Sequence, residues 1–239
     1  MNIKRTHDRI YLDEYYKTHP KEYFKLVCKE MKNDWPDIES KKILDIGCAT
    51  GEFLSYLKTE IPDASLYGLD VMPELLGKVD KQIETYCADI SNPKTLPNKK
   101  FDICTMMGVL SIFDNHESIL DHVLHFFDEQ KICLYLFGFY NPYDWDVLIK
   151  ARNSGTTPSL EKNIGTWEAG WNYPSKKSIL KYCESKNLVC EFIPFKVDFT
   201  IEEHKDDPLR SWTIGNGDDL LVVNGLQLIF HFYLCKIHS

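Results

Sequence analysis

No two of the eight cysteines stand in a C-x-x-C spacing, and most of them sit inside apolar runs. That spread offers neither a zinc nor a disulfide framework. It points to reduced, buried thiols and an expected cytoplasmic setting. No metal-ligating constellation stands out either, so no metal is expected. No stretch approaches the ~20 consecutive apolar residues of a membrane span. The polar, aromatic N-terminus, MNIKRTHDRIYLDEYYKTHP, holds no apolar core of signal-peptide length. Basic clusters are missing beyond short lysine pairs. With 28 Lys and Arg against 36 Asp and Glu, the formal charge is −8. That balance argues against nucleic acid as an expected partner, because phosphate-binding surfaces are usually basic. Repeats, low-complexity tracts and interdomain linkers are absent, and nothing bears on oligomeric state.

What remains, 239 residues with 44% hydrophobic and 27% charged side chains, has the size and composition of one globular domain spanning 1–239. Phe24, Val27, Cys28 and Met31 recur at helical spacing and predict an amphipathic helix over 22–31. Strand patterns follow at 42–46, 65–70, 83–87, 101–107 and 131–138. Helix patterns lie between them at 51–60, 73–79 and 115–127, the last opened by Asp114 and Glu117 in capping-box spacing. This alternation predicts an α/β fold, a doubly wound and mostly parallel sheet. Beyond 138 the rhythm changes. A short helix is expected near 144–152, a helix at 175–186 starting at Ser175, and a strand over 188–200. A hairpin turned at Gly215-Asn216-Gly217 is expected within a polar insertion at 201–224, before a β-rich end, LQLIFHFYLCKI.

The segment ILDIGCATGEF carries the most chemistry. A phosphate-binding P-loop needs Gly-Lys-Ser/Thr at its end, whereas Gly51 is followed by Glu52, which repels phosphate. A dinucleotide loop wants a G-x-G-x-x-G run and a helix N-terminus free of negative charge. The acidic flanks Asp45 and Glu52 suit a cationic ligand better. With Asp45 before Gly47 and Gly51, and Ala49 in place of a middle glycine, the loop resembles motif I of the class I S-adenosylmethionine-dependent methyltransferases. Asp70 ends the strand SLYGLD about 20 residues beyond the loop, where an acid accepts ribose hydroxyls. Asp89-Ile90 closes TYCADI, just after the third strand, where the family places an acid at the adenine amine and an apolar neighbour against the ring. FDICTMMGVLSIF resembles the family's fourth strand. The resemblance covers residues 40–138 closely and 175–239 more loosely.

The resemblance implies a Rossmann-like fold with an antiparallel last strand and N-terminal lid helices over 1–40. It places the cofactor core at 41–138 and acceptor-side insertions at 139–174 and 201–224. It implies S-adenosyl-L-methionine as cofactor, with S-adenosyl-L-homocysteine as product, held by Asp45, Gly47, Cys48, Ala49, Gly51, Phe53, Asp70, Val71, Met72, Asp89, Ile90, Met106, Met107 and Gly108. Ala49 adds one methyl group to the loop and is tolerated at φ < 0.

The acceptor must sit over the strand C-termini, and the segments expected there interleave aromatics with amides. Tyr15, Tyr16, Tyr140, Asn141, Trp145, Trp167, Trp171, Asn172 and Arg210 are the candidate acceptor contacts. They suit a small polar metabolite such as a sugar, a nucleotide-sugar or a phosphorylated precursor of a surface glycan. An alcohol acceptor usually needs a base. His116, at the start of a helix whose N-terminus lowers its pKa, is the first candidate, with Glu168 and Asp144 behind it. O-methylation of a small polar acceptor is the expected reaction. N-methylation of a small amine and a non-catalytic cofactor-binding module are the alternatives.

Overall fold

A computed structural model of the protein describes Tyr11, residues 20–128, 131–155, Gly165, 167–205 and 207–239. The cofactor core expected at 41–138 follows the alternating pattern closely. Helix α1 (Glu22–Asp34) buries Phe24, Val27, Cys28 and Met31, the stripe its 3.6-residue period predicts. Then come β1 (Lys42–Ile46), α2 (Glu52–Glu60), β2 (Ser65–Asp70), α3 (Pro73–Leu76), β3 (Glu84–Cys87), β4 (Ile103–Met107), α4 (His116–Leu124) and β5 (Cys133–Phe139). The remainder contains β6 (Lys150–Arg152), β7 (Trp167–Ala169), α5 (Lys176–Ser185), β8 (Val189–Phe195), β9 (Trp212–Asn216), β10 (Asp219–Val223), β11 (Ile229–Phe230) and β12 (Phe232–His238).

Seven strands form the main sheet in the order β3-β2-β1-β4-β5-β12-β8. All pairs among the first five are parallel, and β12 runs antiparallel to both β5 and β8. The strand order reverses between β1 and β4. Loops leaving the two strands there turn to opposite sides and open a crevice beyond their carboxyl ends. The central strands are covered on both faces, so they read as near-continuous apolar runs. Alternate residues feed opposite layers. Leu44, Ile46 and Met106 pack with Leu120 and Val123 on one face, and Ile43 and Ile103 pack with Val27, Leu54 and Leu57 on the other. Each such fully buried aliphatic side chain contributes about 1.5–3 kcal/mol relative to exposure.

Three local expectations are corrected. Helix α4 is capped by Asn115, whose side chain accepts the Ser118 N–H, and Asp114 faces away to bind Lys150 and Asn172. The helix expected near 144–152 is extended chain. Val147 exchanges two backbone hydrogen bonds with Tyr173 at 2.9 and 2.8 Å, and Lys150–Arg152 pairs with Trp167–Ala169. The strand-like pattern is Val147, Ile149, Ala151, a period of two masked by the apolar Leu148 between the first two. The hairpin of β9 and β10 pairs Asn216 with Asp219, so its turn is Gly217-Asp218. Gly217 has φ +64°, the positive value that the first position of a two-residue II′ turn requires. Among the described residues no helix is long and apolar enough to cross a membrane.

Candidate active site

The end of β1 sets the site. Beyond Ile46 the chain turns sharply enough for the Gly47 and Cys48 N–H groups both to donate to the Leu69 carbonyl, at 2.7 and 3.0 Å. Gly47 and Gly51 take φ +73° and +78°, and Gly51 is the residue before α2. Ala49 also has a positive φ, +46°, and so does not take the negative value at which alanine is readily tolerated. An L-residue in this region costs roughly 1–2 kcal/mol. The Ala49 N–H donates to Asp70 Oδ2 at 3.0 Å, and this bond holds the strained turn.

A Cβ at Gly47 would lie 2.4 Å from Val109 Cγ2. Gly47→Ala therefore combines left-handed strain with a clash against a stiff β-branched side chain. Urea denaturation should show a loss of roughly 2–3 kcal/mol.

Two buried carboxyls face the turn. Asp70, at the end of β2, accepts the Met72 N–H at Oδ1 (2.8 Å) and the Ala49 N–H at Oδ2. Burial raises its pKa, and these N–H donors oppose the rise. Asp45 is 2% exposed and accepts the Thr105 hydroxyl at 2.7 Å. Its pKa is pushed up to about 7, chiefly by burial; Thr105 opposes the shift and the Asp70 charge adds to it. After β3, Asp89 Oδ1 accepts both the N–H and the hydroxyl of Ser91, and Ile90 is buried beside it.

These groups border a cavity of about 420 Å³ over the carboxyl ends of β1, β2 and β4. Every expected cofactor residue except Gly51 and Met106 lines it. Gly51 instead shapes the start of α2. Met106 is fully buried in the core layer with α4, because adjacent strand residues face opposite ways and Met107 takes the cavity side.

The expected acceptor contacts are mostly placed elsewhere. Tyr140 lies in the core with its ring 5.1 Å from Phe192. Asn141 folds its own loop, donating to the Trp145 carbonyl and accepting the Tyr143 N–H. Trp145 is exposed, and Trp167 is exposed beneath Arg152. Trp171 packs on a small satellite core. Asn172 is buried and structural, bonding Ile149 N–H, the Phe113 carbonyl and Asp114. Arg210 pairs with Asp207 and lies 3.3 Å from His204 Nε2. Tyr15 and Tyr16 lie outside the described residues. None of the three expected bases borders the cavity. His116 is held below the usual histidine range by burial, against the opposing charges of Asp146 and Glu117. Asp144 is exposed, and Glu168 is half-buried on β7 next to Ala169, which does reach the cavity.

Other residues take the outer wall. Tyr11, Lys21 and Tyr23 border it on one side, with Phe113, Asp114 and Lys150 on another. Tyr23 stacks face to face on Phe137 at 4.2 Å, and burial pushes its phenol up to about 12. A legible signal for Phe113 and Asp114 was their position in the loop directly after β4, at the switch point. Tyr23 carried none, because it sits beside the apolar stripe of α1.

A seven-stranded Rossmann-like sheet with an acid-flanked glycine turn at its switch point defines a nucleoside-cofactor site. The lining suits a cation: Asp45, Glu52, Asp70, Asp89 and Asp114 outnumber Lys21 and Lys150. Glu52 pairs with Lys21 at 3.2 Å, and its second oxygen, Oε1, is buried without a hydrogen-bond partner. Among the described residues no cluster of three or more His, Cys, Asp or Glu could hold a metal ion.

A family model described as a methyltransferase domain matches residues 19–153. The chain therefore belongs to that family, the class I S-adenosylmethionine-dependent methyltransferases, whose cofactor is S-adenosylmethionine. A malonyl-[acyl-carrier protein] O-methyltransferase of Acetivibrio thermocellus is 29% identical over 121 residues, 45% of this chain and 42% of that protein. The chain thus spans less than half the length of the curated relatives it matches. Among solved structures, the DhpI-SAM-HEP complex is similar at TM-score 0.58 and 11% identity, covering 98% of this chain and 95% of that one. The 1,6-didemethyltoxoflavin-N1-methyltransferase of Burkholderia thailandensis gives TM-score 0.55 at 10% identity, covering 98% and 87%. These two likenesses concern the fold.

Proposed function

We propose that the protein transfers a methyl group to an oxygen of a small polar acceptor that carries its own negative charge, a phosphorylated or carboxylated metabolite. When bound, S-adenosylmethionine supplies a methyl group on a sulfonium, open to in-line attack. Asp70 would accept the ribose hydroxyls. Asp89 and Ile90 would take the adenine edge and face, and Asp45 the ammonium end. Met107, Val109, Ile112 and Phe113 would exclude water beside the reacting centre.

The observation that carries the donor half of the reading is the acid-rich cavity over the strand ends, which suits a cationic sulfonium. The acceptor's charge is supported by where the bases are not. None of His116, Glu168 and Asp144 borders the cavity. Asp114, which does, has its pKa lowered by its hydrogen bond from Lys150, with burial opposing, so it is a poor base for an alcohol. An oxygen ionised before it binds needs no base, and the protein then has only to align it and exclude water. The exposure of Trp145 and Trp167 and the structural role of Asn172 remove the expected platform for a sugar ring. A phosphorylated glycan precursor therefore suits the site better than a neutral sugar. Names of relatives agree on the reaction class, one acting on oxygen and one on nitrogen.

The test is a metabolite panel with a radiolabelled methyl donor, followed by mild alkali on the labelled product. Label on oxygen is expected: mild alkali releases it as methanol from a carboxylate methyl ester, whereas a methylated phosphate keeps it through alkali and yields it as methyl phosphate. Alkali-stable label on nitrogen establishes the amine alternative instead. Cofactor binding without transfer to any acceptor establishes a binding module.

A further inference from the structure

Of the two lysines that line the cavity, Lys21 sits beside Glu52 next to the glycine turn, and Lys150 stands on the outer wall with Phe113 and Asp114. Strand pairing explains why Lys150 reaches the cavity. In the two-stranded ribbon of β6 and β7, Lys150 pairs with Ala169 and Arg152 with Trp167. Paired residues share a face, and successive residues alternate between faces. Lys150 and Ala169 both border the cavity, whereas Ile149 packs against the satellite core on the opposite face. The cavity face of the ribbon is therefore basic, and it continues outward to Arg152, whose guanidinium lies 4.9 Å from the Trp167 ring centre. Lys150 Nζ meets Asp114 Oδ2 at 2.5 Å. Buried Asn172 fixes both sides of this pair. Its amide nitrogen donates to Asp114 Oδ1 at 3.1 Å, and its amide oxygen accepts the Ile149 N–H at 2.7 Å. A half-exposed ion pair contributes little to stability, which does not account for a buried amide fixing both the acid and the backbone next to the lysine. Among the described residues the Lys150 ammonium donates to Asp114 alone, and an ammonium has three donors.

We propose that Lys150 is the specificity residue for the acceptor, its ammonium binding an anionic oxygen of a carboxylate or phosphate other than the oxygen that takes the methyl group. The inference rests on the charged-acceptor reading above and gives that charge a partner. The nucleophile must be a different oxygen, because an ammonium donating to the attacking lone pairs would withdraw the electron density that attack requires. Two oxygens of one carboxylate or phosphate lie close enough for one to face the methyl donor while the other rests on Lys150. Lys150 keeps its proton throughout and takes no part in the bond exchange. Asp114 has two effects of opposite sign. It holds the ammonium at the wall, and its own charge opposes an arriving anion. The cavity is thereby divided by charge, with acids at the strand ends for a cationic donor and a tethered lysine on the outer wall for an anionic acceptor. In the sequence Lys150 carried no signal, because it lay within a segment expected to be helical.

Calorimetry on the protein saturated with S-adenosylhomocysteine tests the assignment, with inorganic phosphate and acetate as separate probes. At least one anion should bind saturably, and which one does so separates a phosphate acceptor from a carboxylate. Lys150→Met should weaken that anion roughly tenfold, as for a lost charge-assisted hydrogen bond. Lys150→Arg should restore it to within about threefold. Arg152→Met removes the same charge about 7 Å further along the strand and should change anion affinity less than about threefold, because exposed charges are screened over that distance. Asp114→Asn keeps an acceptor for Asn172 but removes the opposing charge, so anion binding should tighten about threefold. S-adenosylhomocysteine affinity should stay within about twofold in every variant, since the donor contacts lie on the other wall. Parallel losses in Lys150→Met and Asp114→Asn would mean that the ion pair only braces the loop, and would overturn the proposal. So would an anion that binds Lys150→Met as tightly as the unaltered protein, or no binding of either probe. Once the metabolite panel yields an acceptor, Lys150→Met should raise its KM roughly tenfold or more, with kcat changed less than about threefold. A charged acceptor whose KM is unmoved overturns the role of Lys150 alone. A neutral or amine acceptor defeats the charged-acceptor reading, and this inference with it.

Discussion

Asp70→Ala is expected to weaken S-adenosylhomocysteine binding by roughly two orders of magnitude or more, read by calorimetry. Two losses combine. The first is the carboxylate placed to accept ribose hydroxyls, where each hydrogen bond to a charged group contributes about 1.5–3 kcal/mol. The second is structural. Asp70 Oδ2 ties the Ala49 N–H and Oδ1 ties the Met72 N–H, so without it the left-handed Ala49 loses the bond that offsets its strain. Strand β2 itself should survive, because the Asp70 backbone pairs with Cys87 and its carbonyl accepts the Ala88 N–H. Asp70→Asn separates the two terms. Its amide oxygen still accepts one of the two N–H groups but presents an NH₂ to the other, so affinity should fall between the two extremes. Unaltered affinity in Asp70→Ala would sink the assignment of this carboxylate to the ribose.

The parallel core was legible because its signals are local and redundant. Each strand from β1 to β5 is an apolar run followed by a turn residue, and each strand appears in the structure within about two residues of its pattern, the boundary error expected of such reading. Cap choice was not legible. Asp114 and Asn115 are adjacent capping residues, and tertiary partners decide between them: Lys150 and Asn172 engage Asp114, leaving Asn115 for the helix. The extended chain at 147–152 was hidden for a similar reason. Its pairing partner lies about twenty residues away, so the short local alternation alone could not decide it.

The inner wall of the cavity was legible and its outer wall was not, and the difference is physical. The inner lining comes from loops tied to strand ends, whose positions a parallel sheet fixes. Most of the residues expected to face an acceptor lie in an insertion whose path only the fold reveals. Tyr140 illustrates the limit. It follows β5 directly, yet it turns into the core against Phe192 and Tyr233 instead of toward the crevice. Ala49 shows the reverse case, where a departure from the expected glycine is accommodated at positive φ because Asp70 accepts its N–H. The family motif marks the position; the hydrogen bond explains how alanine occupies it.

Asp45 carries the second large expectation, a stability that falls as pH rises from about 4 to 7. In the unfolded chain this carboxyl ionises near its ordinary value of 3.8, whereas in the native protein burial holds its proton to about pH 7. Below pH 3.8 both states are protonated, and the group adds no pH dependence. Between the two values the unfolded state has released a proton that the native state keeps, so stability declines with rising pH. Above pH 7 both states are ionised and the loss is complete. A separation of about three pKa units corresponds to roughly 4 kcal/mol in this fully buried setting. Asp45→Asn removes the titration while its amide oxygen still accepts the Thr105 hydroxyl. The variant should therefore match the unaltered protein near pH 4 and exceed it in urea denaturation at pH 8. A cation bound beside Asp45 favours the ionised form and lowers its pKa, so calorimetry below pH 7 should detect proton release on cofactor binding, and Asp45→Asn should abolish it. Equal stability differences at pH 4 and pH 8 would show that Asp45 is already ionised in the free protein. The site would then be organised by a permanent charge, not by one released when the cofactor arrives.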